Sequence, residues 1–132
     1  MKHESFPAAF IFTHKMDTAT LNGLYDGDFP YVEEIFASTL MHLDGDLDAV
    51  EAAFAGGMME DLRKAVHKVK PTFGYTGLLA VQAACQQFET SCQSAASFDI
   101  LKSEYQHLKH TLLDARDIIQ TEYYRLKSYN AQ

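Results

Sequence analysis

Positive charge is scarce in this sequence: 11 lysines and arginines stand against 18 aspartates and glutamates, for a formal net charge of −7. That balance argues against nucleic acid as the main partner, because a phosphate backbone is held by a positive face. Long apolar runs are absent, and none approaches the length of a membrane span. The apolar stretch Pro7–Phe12 is too short for a secretory signal, and no small-residue cleavage site follows it. The protein is therefore expected to be cytoplasmic, with no membrane partner. Cysteine is limited to Cys85 and Cys92. Seven positions apart on one helix, they would sit about 10 Å apart along its axis, beyond disulfide reach, and are expected to be buried free thiols.

Proline and glycine are also few, three and seven respectively, and they punctuate the chain rather than fill it. Between them apolar residues recur at helical spacing, with no convincing alternating strand. Residues 1–15 form an N-terminal arm, expected to dock through Phe6, Phe10 and Phe12; residues 16–132 form one domain. A short helix is expected from Asp17 to Tyr25, ending at Asp26-Gly27. Asp28 then caps a long helix, with Pro30, Glu33 and Glu34 in its first turn. Val32, Phe36, Leu40, Leu43, Leu47, Val50 and Phe54 form its stripe, Gly45 is a candidate kink, and Gly56-Gly57 stops it.

A third helix is expected over Met58–Phe73 with Leu62, Val66, Val69 and Phe73 inward. The fourth carries Leu78, Val81, Cys85, Phe88 and Cys92. The last, Phe98–Lys127, carries Leu101, Tyr105, Leu108, Leu112, Ala115 and Ile119. Four amphipathic helices joined by short turns pack as an antiparallel bundle. The expected fold is thus all-α: an up-down four-helix bundle with a short additional N-terminal helix.

One stretch reverses the sign of the whole chain. Four of the eleven basic residues fall within Arg63–Lys70, and no acid does. Next to the core stripe 62, 66, 69 and 73, one step of about 100° around the helix, run Arg63, His67, Lys70 and Gly74. His67 should stand on an exposed flank with a cation one turn later and bare glycine backbone beyond. An imidazole that accepts a bulky dianion wants this arrangement: open approach, a nearby cation and no large side chain overhead. Pro71 lacks the N–H that would bond the His67 carbonyl, so it should disturb or help end the helix.

The run His67-Lys68-Val69-Lys70-Pro71-Thr72-Phe73-Gly74-Tyr75-Thr76-Gly77-Leu78, followed by Phe88-Glu89, resembles the signature of histidine-containing phosphotransfer (HPt) domains. A looser likeness extends from about Asp17 to Lys127. The resemblance implies that His67 accepts a phosphoryl group on its outward nitrogen. It implies that Lys70, with Lys68, offsets the phosphoryl charge, that Gly74 keeps the approach clear, and that Glu89 bonds the other imidazole nitrogen. It implies as partners the receiver domains of response regulators or hybrid histidine kinases, which supply the magnesium ion. It further implies a monomeric phosphohistidine carrier without cofactor or autokinase activity. Nothing in the chain resembles a kinase ATP site or a receiver, so a free-standing relay is expected. The alternative is a non-catalytic HPt-like adaptor that binds a receiver without transferring phosphate. A di-metal bundle would need two Glu-x-x-His motifs, and only Glu104-Tyr105-Gln106-His107, followed by His110, is found; no metal site is expected.

Overall fold

The computed structural model describes residues 9–132, so Phe6 of the expected arm contact lies outside the described residues. Five helices follow in order: α1 Thr18–Tyr25, α2 Phe29–Gly56, α3 Met59–Tyr75, α4 Leu79–Ser94 and α5 Phe98–Asn130; among the described residues there is no strand. No helix is long and apolar enough to cross a membrane among the described residues.

Each of the four long helices packs on two others, α2 on α3 and α5, α4 on α3 and α5, which closes an antiparallel ring. The stripes read from the sequence are the ones that face inward. Phe36, Leu43, Leu62, Val66, Val69, Phe73, Cys85, Ala115, Ile119 and Leu126 have no accessible surface. Trimming one of the large rings, as in Phe73→Ala, would leave a void costing about 3–5 kcal/mol.

Local chemistry sets the helix ends. Asp17 caps α1 by accepting the Thr20 N–H (2.9 Å), and Asp28 caps α2 by accepting that of Tyr31 (3.1 Å). Because α2 begins at Phe29, its first turn holds no acid; Glu33 and Glu34 fall one turn too late for the role expected of them. Glu33 instead accepts the Asn130 side-chain amide at the end of α5 (2.8 Å). Gly45 does not divide α2, which continues through it. It is exposed, with nothing within 4 Å of where a side chain would start. Its cost is therefore only the weak helix preference of glycine, outweighed by the flanking Leu43 and Leu47. Pro71 likewise does not end α3, which runs on to Tyr75; its ring sits on the exposed side.

Unequal helix lengths explain the N-terminal segment. At about 1.5 Å per residue, the 28 residues of α2 and 33 of α5 overreach the 17 and 16 of α3 and α4. The overhang is covered by residues 9–17 and α1. Phe10 and Phe12 join Phe29 and Tyr129 in an edge-to-face aromatic cluster. Thr13 donates its N–H to Glu122 (2.7 Å), a carboxylate 1% exposed that also takes Arg125. Arg125 reaches back to the Ile11 carbonyl (3.0 Å) and lies over the Phe10 ring.

The turn between α3 and α4 is pinned from the same side. Tyr25 donates its hydroxyl to the Tyr75 carbonyl (2.7 Å), and Gly77 accepts the Asp17 N–H (2.7 Å). Gly77 is required twice over. Its φ of +74° is left-handed, and an added Cβ would come within 3.0 Å of Leu21 and 3.2 Å of the Asp17 nitrogen. This fixes the α3–α4 hairpin, and with it the register of the basic flank of α3 against α4.

Candidate functional site

That register brings three pairs of positions together along the α3–α4 seam: 67 with 89, 70 with 86, and 74 with 82, all centred on position 78. His67 is the outermost, its side chain 62% exposed. Its Nδ1 lies 2.7 Å from Glu89 Oε1, while the Glu89 side chain is only 6% exposed. An ionised carboxylate can only accept, so the shared proton belongs to Nδ1 and the lone pair of the imidazole is left on Nε2. Glu89 therefore sets both the tautomer and the orientation of the ring.

Glu89 is held in turn by Lys70. The Lys70 Nζ lies 2.8 Å from Glu89 Oε2, an ion pair whose angle falls outside hydrogen-bond geometry, and Oε2 has no hydrogen-bond partner among the described residues. Lys70 donates to Gln86 Oε1 at 2.7 Å and is only 17% exposed. Burial alone would raise the Glu89 carboxyl, but the charge of Lys70 and the hydrogen bond from His67 outweigh it. The group is held below the usual carboxylate range and is ionised near neutrality.

The other expected residues are placed differently. Lys68 is 74% exposed and leans 3.6 Å from Asp46 on α2, on the side of α3 away from Glu89; Asp46 also meets His42 at 3.2 Å. Arg63 is spent on Glu60 through two contacts of 2.9 and 2.6 Å. Gly74 does not leave open backbone above the helix, as expected from the sequence, because Gln82 of α4 occupies that space. A Cβ at Gly74 would stand 2.6 Å from the Gln82 side-chain nitrogen. The missing side chain admits α4's Gln82, two helical turns from His67.

Sequence reasoning missed Gln82 and Gln86. Reflecting the basic flank of α3 through the turn at position 78 points to both, since the same reflection carries 67 to 89. Both thiols are free and buried, and burial pushes Cys85 up to about 12 and Cys92 up to about 11, which disfavours the thiolate. Glu104 accepts the Ser91 hydroxyl at 2.9 Å, and among the described residues no group of three or more His, Cys, Asp or Glu side chains is placed to hold a metal ion.

A model of the Hpt domain family matches residues 34–119, well over half of the chain, and that span contains the whole seam. The chain belongs to the Hpt domain family. Its fold is similar to that of the HPT domain from the Hpt sensor hybrid histidine kinase from Shewanella, with a TM-score of 0.68 at 16% identity. The likeness covers 82% of this chain and 92% of that one. A comparison with curated proteins returned no match. Hpt domains serve as phosphotransfer domains in phosphorelays, where they partner with receiver domains. The match leaves residues 9–33 and 120–132 outside it, and the docked N-terminal segment, α1 and the end of α5 fall there.

Proposed function

We propose that this Hpt domain carries a phosphoryl group on Nε2 of His67, exchanging it with aspartates of receiver domains. The observation that carries the reading is the pairing of an exposed imidazole with a buried, ionised carboxylate at 2.7 Å. A histidine that merely solvates a helix face has no need of a buried acid behind it, and burying that acid is costly unless it is partnered.

In the transfer step the Nε2 lone pair attacks the phosphorus of the receiver's acyl phosphate. The N–P bond forms as the P–O bond to the aspartate breaks, and the aspartate leaves as a carboxylate. The imidazole gains positive charge, which the Nδ1–H shares with Glu89, so the Nδ1–H···Oε1 bond strengthens as the reaction proceeds. Return transfer reverses each movement. Any magnesium ion required is supplied with the receiver. Lys70 keeps Glu89 ionised and lies within the same network, where a further ammonium proton is available for a phosphoryl oxygen. Lys64 and Lys68, both exposed on α3 near His67, make the surroundings of the imidazole basic on an acidic body, which favours encounter with an acidic receiver pocket.

The test is phosphoryl transfer from a radiolabelled phospho-receiver to wild type and His67→Gln. Label on wild type alone, lost in acid and kept in base, supports the relay. Receiver binding without label on wild type would make the chain an adaptor instead.

A further inference from the structure

Lysine is a poor fixed point. Its ammonium ends a flexible four-carbon stem, and an exposed one spends its time in water. Lys70 departs from that habit. It lies largely covered on the seam, 2.7 Å from one α4 acceptor and 2.8 Å from a second. Of those two, Glu89 already has a task, since its other oxygen holds the His67 ring. Among the described residues Gln86 makes no other side-chain hydrogen bond, and it stands exposed one turn before Glu89 on the same face of α4.

We propose that Gln86 is a positioning residue of the phosphoacceptor site, whose side-chain carbonyl holds Lys70 beside Glu89 and within reach of the phosphoryl group on His67. This rests on the reading of His67 as the acceptor. One ammonium proton of Lys70 is committed to Gln86 and the ion pair with Glu89 draws the ammonium to the same side, so the group is held in place with a proton left for a further acceptor. Without the Gln86 carbonyl, only an ion pair of poor angle ties Lys70 down, and the ammonium is free to turn to water. Glu89 is then left with the His67 N–H and, at longer range, the Arg63 charge from α3.

A glutamine is suited to this place because it accepts from the lysine without adding a second negative charge where a phosphoryl group must arrive. A carboxylate there would hold Lys70 as well but would repel the incoming dianion. An alanine would do neither. The Lys70 hydrogen bond goes to Gln86 and not to Gln82, one turn earlier on α4, whose amide lies against Gly74.

The experiment has two arms on the full chain. In the first, transfer from a phospho-receiver is timed for wild type, Gln86→Ala, Lys70→Ala and the double variant. Gln86→Ala is expected to slow transfer about three- to tenfold, in keeping with loss of a partly exposed hydrogen bond to a charged group. In the Lys70→Ala background the same change should have no effect, since Gln86 acts through Lys70. In the second arm, the Lys70 ammonium is followed by nitrogen-detected magnetic resonance. Its signal should be slow to exchange in wild type, lost in Gln86→Ala and restored in Gln86→Glu. An equal slowing in both backgrounds, or a Lys70 signal indifferent to Gln86, would overturn the proposal. If wild type takes no label while the Lys70 signal still depends on Gln86, the phosphoacceptor reading has failed and the positioning of Lys70 has not.

Discussion

His67 and Glu89 are 22 residues apart in the chain and 2.7 Å apart across the α3–α4 seam, the one exposed and the other buried. The pair couples an exposed imidazole to the interior, and its consequences are measurable without any partner protein.

The first concerns acid stability. The Glu89 carboxyl titrates below its ordinary value of 4.5 because Lys70 and His67 outweigh the opposing effect of burial. A depressed carboxyl contributes stability that is fully present above the unfolded value and is lost as pH falls through the folded one. Urea melts of wild type and Glu89→Gln should therefore differ most at neutral pH and converge as the pH drops from about 4.5 downward. Parallel curves across that window would mean that Glu89 does not hold its charge through these partners.

The same substitution tests the tautomer. With Glu89 ionised, Nδ1 carries the proton; a glutamine can accept there through its oxygen, whereas Glu89→Ala cannot. Nitrogen chemical shifts of the His67 ring should report Nδ1–H in wild type and Glu89→Gln and a mixture in Glu89→Ala. A wild type already mixed would remove Glu89 from the site.

Gly74 matters through Gln82. An alanine at position 74 meets only the far end of a flexible side chain, so Gly74→Ala should change stability by less than about 1 kcal/mol, the gain in helix preference offsetting the displaced amide. Gly74→Leu must push into the seam and should cost about 1–3 kcal/mol, partly recovered when Gln82→Ala makes room. If thermal melts of Gly74→Leu match wild type, the space above Gly74 is open after all.

At the other end, Glu122 ties the N-terminal segment to α5 through Thr13 and Arg125. Glu122→Ala leaves the Thr13 N–H and the Arg125 guanidinium without that acceptor. A loss of about 1–3 kcal/mol is expected, together with faster proteolysis within residues 9–16. Phosphoryl acceptance should be unchanged, because the seam lies elsewhere. Unaltered melting and cleavage would mean that the aromatic cluster alone holds the segment.

Much of this was legible in the sequence, and for physical reasons. The stripes at steps of three and four place Phe36, Leu62, Val69, Cys85 and Leu112 in the core because helical period and burial are the same fact seen twice. The pairing of His67 with Glu89 is implied by the resemblance to HPt domains, and a hairpin turning near position 78 allows it. What was not legible depends on distances across helices. Nothing local says that Lys68 turns to Asp46 on α2, or that Gln82 fills the space over Gly74. Helix ends also drifted: Pro71 is expected from the sequence to disturb or help end a helix closing at Phe73, yet its ring lies on the exposed side and α3 continues to Tyr75.

The most direct test of the central claim is transfer of labelled phosphate from a phospho-receiver to wild type and to His67→Gln, with helicity and melting measured alongside. The account predicts acid-labile, base-stable label on wild type, none on His67→Gln, and nearly equal melting temperatures for the two. Label that persists on His67→Gln would contradict it, because the phosphoryl group would then reside on another side chain.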